Sequence, residues 1–94
     1  MKVSVIINCF NGEEYLKNSL QSVLNQSYKN WELIFFDNNS NDNSYKIFKS
    51  FKEKRFKYFK SSSKISLSQA RNIAVSKCSG EWIGFCDCDD VWYK

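Results

Sequence analysis

Four short apolar segments separated by helix-like stretches constrain the fold of this chain more than any other feature. The segments cover residues 2–7, 31–36, 55–60 and 81–86. The first is a β-branched run, which suits a strand buried on both faces, as in the parallel sheets of layered α/β folds. The third alternates apolar and polar side chains in a strand-like way. We therefore predict four strands, in that order along the chain.

The stretches between these segments have helical periodicity. Glu13 and Glu14 place negative charge in the first turn of a helix that is predicted to run to about Gln26. A second helix is predicted from about Asn43, and a third over residues 67–77 with Ser66 as its N-cap. The apolar stripes of these helices are Leu16, Leu20, Val23 and Leu24; Ile47, Phe48 and Phe51; and Leu67, Ala70, Ile73 and Ala74.

Strands that alternate with helices predict an α/β fold, layered as α/β/α with a mainly parallel sheet. The chain has 94 residues, of which 43% are hydrophobic, and this allows one modest core. We predict a single domain over residues 1–94. No apolar run reaches the roughly 20 residues of a membrane span and no signal-peptide pattern opens the chain, so we expect a cytoplasmic protein.

Most of the net charge of +4 lies in one basic, aromatic segment, residues 46–60. Phenylalanines interleaved with lysines could suit a nucleic-acid surface or anionic lipid. The pattern also fits a helix and a strand whose apolar faces point inward while the lysines stay in solvent, which we favour. Acidic residues at the neighbouring strand ends would repel nucleic-acid phosphates in the absence of metal, so we expect no nucleic-acid partner.

The four cysteines, Cys9, Cys78, Cys86 and Cys88, lack the spacing of a structural zinc site, because the chain has no Cys-x-x-Cys pair and no histidine. Cys86 and Cys88 alternate at a strand end, so both should point to one side as small apolar residues. A reducing cytosol would keep all four as thiols. We expect them to pack rather than to bind metal.

Polar residues follow three of the predicted strands at the point where each strand ends. Asn8 follows the first strand, Asp37 and Asn38 follow the second, and Asp87 follows the fourth. The carboxyl ends of parallel strands meet at one edge of a sheet, and the ligands of open α/β sheets bind beyond that edge. We therefore predict one binding crevice formed by these three strand ends.

Asp87, Asp89 and Asp90 crowd three carboxylates into four residues. Like charges this close repel each other unless they are protonated or bridged by a cation. Mg²⁺ or Mn²⁺, which take carboxylate oxygens, water and substrate phosphates as ligands, would remove the repulsion and hold a diphosphate. A solvent-exposed acidic turn is the alternative for this segment.

The chain has neither of the common glycine-rich phosphate-binding motifs, so a side-chain cation would have to neutralise phosphates together with the metal. Arg71 offers a planar fork of donors suited to that role, although an arginine on a helix surface is the alternative. Asp37 and Asn38 could discriminate a nucleobase, since a carboxylate accepts from an imide N–H and an amide both donates and accepts. Helix N-capping is the alternative for this loop, but residues 40–42 can provide it and leave Asp37 and Asn38 free to face the crevice.

Five segments resemble, in the right order, the motifs of one enzyme family. VSVIINCFN at residues 3–11 is similar to its opening strand and loop, and SVLNQSY at 22–28 to the end of its first helix. FDNNSND at 36–42 resembles its nucleotide loop, and Ala70-Arg71-Asn72 resembles its Ala-Arg-Asn helix. GEWIGFCDCDD at 80–90 resembles the strand that leads into its Asp-x-Asp metal motif. The family is the family 2 glycosyltransferases with the GT-A fold.

This resemblance implies a metal-dependent, inverting transfer of a sugar from a nucleoside diphosphate donor, commonly UDP-linked, to an acceptor hydroxyl. The residues that match the donor site of the family are Asn8, Asp37, Asn38, Arg71 and Asp87. Asp87 and Asp89 would form the Asp-x-Asp pair, with Asp89 nearest the Mg²⁺ or Mn²⁺ and Asp90 in support. Asn38 stands where the family often has a carboxylate that reads the base, which leaves the choice of nucleoside open.

Family members continue past the metal motif into a region that binds the acceptor and supplies the general base. We therefore expect the base beyond Lys94, and donor binding without transfer by this chain alone. The resemblance implies a glycan or lipid-linked acceptor in surface polysaccharide biosynthesis, and it leaves open a location at the inner face of the membrane for the full-length protein. A non-catalytic nucleotide- or metal-binding module is the alternative. An uncovered crevice would expose apolar surface near Phe85, Val91 and Trp92, so we also expect self-association.

Overall fold

A computed structural model describes residues 1–86 of the chain. Four strands alternate with three helices along these residues, as the sequence predicts. The elements are β1 (Val3–Cys9), α1 (Glu13–Leu24), β2 (Trp31–Asp37), α2 (Ser44–Ser50), β3 (Phe56–Lys60), α3 (Leu67–Ser76) and β4 (Trp82–Phe85).

The strands form one sheet in the order β3-β2-β1-β4, and every pairing in it is parallel. β1 and β2 lie in the centre, which explains why their sequences are apolar almost throughout: a strand covered on both faces has no solvent side. β4 pairs with β1 over four positions, from Val3 opposite Trp82 to Ile6 opposite Phe85. The predicted α/β fold with a mainly parallel sheet is confirmed.

Helices cover both faces of this sheet. α1 and α2 contribute Leu16, Leu20 and Phe48 to a core on one face, where Val5 and Ile7 of β1 point. On the other face, Ala70 and Ala74 of α3 pack closely against the sheet. The alternating side chains of β1 therefore serve two separate cores. The members of the second core are Ile6, Ile34, Phe36, Ala70 and Ala74, with Phe59, Ile65 and Cys78 packed against it.

The strand ends lie later than the sequence indicates. β1 continues through Asn8 to Cys9, because these residues keep their parallel pairing with Phe36 and Asp37 of β2. Asp37 is accordingly the last residue of β2 rather than the first residue of a loop. Strand pairing uses backbone atoms, so polar side chains such as those of Asn8 and Asp37 do not interrupt it. Their polarity therefore does not indicate where the strands end.

The helix ends differ from the predictions by one or two residues. α1 ends at Leu24 rather than near Gln26, and α2 ends at Ser50, after which Phe51 takes an extended conformation. α3 begins as predicted after Ser66, whose hydroxyl accepts a hydrogen bond from the Gln69 N–H in a capping box. Among residues 1–86, no helix is long and apolar enough to cross a membrane.

Candidate functional site

The carboxyl ends of β1, β2 and β4 meet at one edge of the sheet. The Asn38 N–H donates to the Cys9 carbonyl at 2.7 Å, and the Cys86 N–H donates to the Ile6 carbonyl at 2.9 Å. The chain steps from β1 to β2 to β3 in one direction and then returns to place β4 on the other side of β1. In open α/β sheets such a reversal of strand order leaves a ligand crevice beyond the strand ends, here beside β1 and β4.

Asn8 lies at this reversal with an unsatisfied acceptor. Its neighbours Ile7 and Cys9 point to the core under α1, so the alternation of β1 turns Asn8 to the face that α3 covers. The Asn8 Oδ1 is buried and accepts no hydrogen bond from any of residues 1–86. Most buried polar atoms in proteins have a partner, and an orphaned one is a candidate for contact with a ligand.

Arg71 of α3 lies on the same face. Ala70 and Ala74 anchor the helix against the sheet, and the exposed guanidinium of Arg71 extends to the end of β4. Its Cζ is 5.6 Å from the centroid of the Phe85 ring. Arg71 makes no ion pair or hydrogen bond with another described residue, so all of its planar donors are available to an anion at the crevice.

Asp37 is not free to face the crevice as expected, because its carboxylate is already engaged. The side chain is 1% exposed. The Ser40 N–H donates to its Oδ1 at 2.8 Å, and the Tyr58 hydroxyl donates to its Oδ2 at 2.7 Å. Burial, with Asp37 as partner, raises the pKa of Tyr58 well above its usual value, so Tyr58 remains a donor. Asp37 therefore ties the end of β2 to β3.

Asn38 also departs from the expectation of a free side chain. Its Nδ2 donates to the Ile65 carbonyl at 2.8 Å, and its Oδ1 accepts from the Ile65 N–H at 2.9 Å. The Ser61 hydroxyl donates to the same oxygen at 3.3 Å. The side-chain amide thus pairs with the backbone of Ile65 as a neighbouring strand would. This holds the connector between β3 and α3 against β2, and it leaves one Nδ2 hydrogen for other partners.

The loops that follow β1 and β2 are joined by reciprocal hydrogen bonds. The Gly12 N–H donates to the hydroxyl of Ser44, the first residue of α2, at 3.0 Å, and the Glu13 N–H donates to Asp42 Oδ2 in the second loop at 3.1 Å, so both side chains hold the start of α1. In return, the Asn11 Oδ1 accepts from the Asn41 N–H at 2.9 Å. Burial opposes ionisation of Asp42, but hydrogen bonds from Ser44 and Glu13 outweigh it and lower its pKa. Asp42 therefore provides the predicted capping for both helices, since its Oδ1 accepts from the Ser44 N–H at the start of α2 at 2.9 Å while its Oδ2 accepts from the first residue of α1.

One pair near the crevice was not found by sequence reasoning. The ring of Phe10, directly after β1, is 41% exposed, and the Lys64 Nζ lies 3.9 Å from its centroid. Phe10 thereby links the end of β1 to the same connector that Asn38 holds. The signal in the sequence was an aromatic residue within the polar strand end Asn8-Cys9-Phe10-Asn11, where an exposed ring is more typical than a buried one.

The three proposed metal ligands, Asp87, Asp89 and Asp90, lie outside the described residues, as do Val91 and Trp92. Within residues 1–86, no group of three or more His, Cys, Asp or Glu side chains could hold a metal ion. Cys9, Cys78 and Cys86 form no disulfide, and Cys88 is outside the described part. Residues 86–90, which follow β4, combine three carboxylates with two thiols, and the carboxylates are the ligands that Mg²⁺ and Mn²⁺ prefer.

An open parallel sheet, helices on both faces and a polar crevice at the reversal of strand order define the class of α/β nucleotide-binding folds. The sequence matches the family model described as Glycosyl transferase family 2 over residues 4–94. The chain belongs to this family, and the resemblance that the five motifs predicted is confirmed.

Solved structures and curated relatives agree with this assignment. S. aureus TarS 1-349 in complex with UDP-GlcNAc has a TM-score of 0.91 and 28% identity, covering 97% of this chain and 27% of that one. The mannosyltransferase PcManGT from Pyrobaculum calidifontis in complex with GDP-Man and Mn²⁺ has a TM-score of 0.89 over 96% of this chain and 28% of that one, and at 21% identity it supports the fold alone.

Among curated proteins, the chain is 38% identical over 91 residues to the Escherichia coli UDP-Glc:alpha-D-GlcNAc-diphosphoundecaprenol beta-1,3-glucosyltransferase WfgD. The match covers 96% of this chain and 36% of that protein. The putative glycosyltransferase EpsE of Bacillus subtilis is also 38% identical, over 93 residues that cover 96% of this chain and 34% of EpsE. The chain therefore spans about a third of the length of these relatives.

Proposed function

We propose that this chain is the donor-binding part of a glycosyltransferase that transfers a sugar from a nucleoside diphosphate sugar, with inversion, to an acceptor hydroxyl. The observation that carries the proposal is the reversal of strand order at β1 and β4, where Asn8 Oδ1 accepts no hydrogen bond and the Arg71 guanidinium, which lies over the Phe85 ring, makes no ion pair or hydrogen bond within the described residues. Family membership and the UDP-GlcNAc complex of TarS support a UDP-sugar as the donor.

The residues at the crevice are suited to different chemical groups of the donor. Arg71 carries the positive charge and the planar donors that suit a diphosphate, and Asn8 offers an acceptor for a donor group of the ligand. Asp37 and Asn38 contribute to nucleoside binding at least by fixing the loops around it, since each Asp37 oxygen already accepts one protein hydrogen bond and most of the Asn38 amide is paired with Ile65 and Ser61. The remaining Nδ2 hydrogen of Asn38 is available to a carbonyl of the base.

Asp87 and Asp89, with Asp90 in support, would hold Mg²⁺ or Mn²⁺ beside the diphosphate. When bound, the metal supplies Lewis-acid stabilisation of the charge on the leaving diphosphate. In the reaction, the acceptor oxygen forms a bond to the anomeric carbon, the bond from that carbon to the diphosphate breaks, and a general base takes the hydroxyl proton. Asn8 and Arg71 bind and orient the donor, and we assign the base to no residue of this chain.

The acceptor is proposed from the relatives alone. The name of WfgD specifies a sugar linked to diphosphoundecaprenol, which is a lipid-linked acceptor. A lipid-linked or glycan acceptor in surface polysaccharide biosynthesis, at the inner face of the membrane, is the corresponding proposal for the protein to which this chain belongs.

Calorimetry with UDP and Mn²⁺ tests the donor and metal parts of the proposal separately. UDP should bind more tightly when Mn²⁺ is present, and a chelator should remove that gain, because nucleotide and metal each supply charge that the other needs. Asp89→Asn should abolish most of the coupling, whereas Cys88→Ala, a change at the adjacent residue, should leave it intact. UDP affinity that a chelator does not change would refute the metal bridge.

A second pair of variants tests Arg71. Arg71→Gln should weaken UDP binding about tenfold, the value of one lost charge-assisted hydrogen bond of roughly 1.5 kcal/mol. Lys77→Gln removes the same charge directly after α3, away from the crevice, and should change UDP affinity by less than about twofold. Equal losses of UDP affinity in the two variants would contradict a direct contact between Arg71 and the diphosphate and would leave only an effect of net charge.

A further inference from the structure

A buried carboxylate lies at the opposite, amino-terminal edge of the sheet, where the nucleotide is not expected. Glu32 is the second residue of β2 and is 1% exposed. Burial of an ionised carboxylate costs on the order of several kcal/mol in lost hydration, unless charges and hydrogen bonds compensate it. Its partners therefore indicate what the side chain does in the fold.

Donors from three other segments converge on Glu32. Ser4 of β1 donates its hydroxyl to Oε2 at 2.6 Å, and Lys57 of β3 donates to Oε1 at 2.8 Å. From the turn between α3 and β4, Ser79 donates its N–H at 2.6 Å and its hydroxyl at 3.0 Å, both to Oε2. The Lys2 Nζ lies 3.5 Å from Oε1. Burial alone would raise the pKa of Glu32, but the hydrogen bonds from Lys57, Ser4 and Ser79 outweigh it and hold the pKa far below its usual range.

The same cluster fixes the start of β4. The Gly80 N–H donates to the Ser4 hydroxyl at 2.8 Å, and the Glu81 N–H donates to the Lys2 carbonyl at 2.8 Å. A Cβ at Gly80 would lie 2.6 Å from the Ser4 Oγ, so the turn is pressed directly onto β1. Because Ser4 donates to Glu32 and accepts from Gly80, the carboxylate sets the orientation of the hydroxyl that receives the turn.

Apart from this cluster, the register of β4 is held by its pairing with β1 and by Cys86, directly after the strand, which is buried in the first core and donates its N–H to the Ile6 carbonyl at 2.9 Å. β4 has four residues and, among the described strands, pairs with β1 alone. Within β4 itself, Trp82, Ile83 and Phe85 are 62%, 41% and 48% exposed, so burial of these side chains does little to select one register over another, and the start of the strand relies on the Glu32 cluster. A slip of one residue in a strand turns every side chain to the opposite face. Asp87 follows β4 after one intervening residue, so the register of β4 decides where the chain delivers Asp87.

We propose that Glu32 is a positioning residue for the metal and nucleotide site: it holds the Ser79-Gly80 turn on β1 and thereby fixes the register of the strand that leads into the Asp-x-Asp motif. Glu32 touches neither donor nor metal and acts only through Ser4 and the turn. This inference rests on the function proposed above for Asp87 and Asp89.

Glu32→Gln tests the inference, with Glu53→Gln as a matched control. Both substitutions remove one carboxylate charge that accepts from a basic side chain, but the Glu53 carboxylate is hydrogen-bonded to Arg55 alone among residues 1–86, and to no residue of β4. Amide hydrogen exchange of the chain without ligand should show at least tenfold faster exchange at residues 82–85 of Glu32→Gln, with residues 34–36 changed much less. In calorimetry with UDP and Mn²⁺, Glu32→Gln should lose at least tenfold in affinity, and Glu53→Gln less than twofold.

The two measurements separate this inference from the proposed function. Uniformly faster exchange in all strands, or wild-type protection at residues 82–85, would overturn the positioning role, since a merely stabilising residue lowers protection everywhere. Failure of the wild-type chain to bind UDP and Mn²⁺ would overturn the proposed function, while the exchange data would still decide whether Glu32 fixes β4. If Glu32→Gln does not fold, Ser79→Ala, which removes one donor and keeps the charge, should give the same local pattern at residues 82–85 with a smaller amplitude, and its absence would refute the inference.

Discussion

Substitution of Gly80 by alanine should destabilise this fold more than any ordinary change in a turn. A Cβ at this position would lie 2.6 Å from the Ser4 Oγ, 2.7 Å from the Ser4 N and 2.8 Å from the Lys2 carbonyl oxygen. Contacts this short cannot persist. Two of the three are backbone atoms, the Ser4 nitrogen in β1 and the oxygen of Lys2 just before it, so no side-chain rotation relieves these contacts and the turn has to move away from the strand.

The expected cost follows from what that movement breaks. Overpacking of a tight contact typically costs about 1 to 3 kcal/mol. Loss of the hydrogen bond from Gly80 to Ser4, and weakening of the one from Glu81 to Lys2, adds about 1 kcal/mol. We therefore expect Gly80→Ala to lower the free energy of unfolding by about 2 to 4 kcal/mol, and Tm by at least about 10 °C in a domain of this size.

Urea and thermal unfolding of Gly80→Ala beside the wild type provide the assay. The double variant with Ser4→Ala is the informative companion, because it removes the Oγ contact and leaves both backbone contacts in place. It should not recover the lost stability. A Gly80→Ala protein within about 0.5 kcal/mol of the wild type would show that the turn is not pressed onto β1 as described, since that is the range of neutral surface substitutions.

Three further predictions concern pH, the Asp37 contact and the edge of the sheet. The pKa of Glu32 is depressed in the folded state, so the ionised carboxylate contributes its full stabilisation above its ordinary pKa near 4.5, and this contribution is lost as the pH falls below that value. Below pH 4.5, the free energy of unfolding of the wild type relative to Glu32→Gln should decline by up to about 1.4 kcal/mol per pH unit. A difference between the two proteins that stays constant in urea unfolding from pH 6 to 3 would contradict this. Tyr58→Phe removes a donor from the buried Asp37 and should cost about 1 to 3 kcal/mol in urea unfolding, whereas an effect below about 0.5 kcal/mol would argue against the hydrogen bond. Trp82 and Phe85 are exposed on a strand with one described neighbour, so light scattering should show association that grows with protein concentration, and a monodisperse monomer throughout would refute it.

The fold could be predicted almost completely from periodicity. Apolar runs of six residues between helical stripes leave few alternatives to a parallel sheet with helices on both faces. The errors lie at the carboxyl ends of β1 and β2, where Asn8 and Asp37 are polar and were assigned to loops. Both continue the strand pairing, which depends on backbone atoms that side-chain patterns do not report.

The positions of two predicted site residues follow from the fold. Asn8 at the end of β1 and Arg71 on α3 lie on the same face of the sheet near its carboxyl edge, and their binding of the donor stays a prediction. The engagement of Asp37 and Asn38 could not be anticipated, because their partners Tyr58 and Ile65 are 21 and 27 residues away in sequence. Such pairs follow from how the connector folds over β2, which no local pattern encodes.

The paired state of Glu32 could have been predicted from the sequence but was not. A single acidic residue within an apolar run such as WELIFF has to be either exposed or paired, because an isolated buried charge is prohibitively costly. The flanking residues already indicated a buried strand. Pattern reasoning could therefore have predicted that Glu32 has charged partners, although not that Ser4 and Ser79 would be among the donors.

Titration of the ¹⁵N-labelled chain with UDP in the presence of Mg²⁺, which is diamagnetic and leaves nearby signals observable, tests the central claim most directly, because it reports both whether the ligand binds and where. The account predicts that the side-chain amide of Asn8 and the Nε of Arg71 shift with one saturating curve, while Arg55 at the amino-terminal edge of the sheet does not. Saturable shifts centred on Arg55 and Lys57, or no saturable shift at either edge, would contradict the assignment of the nucleotide to the crevice at β1 and β4.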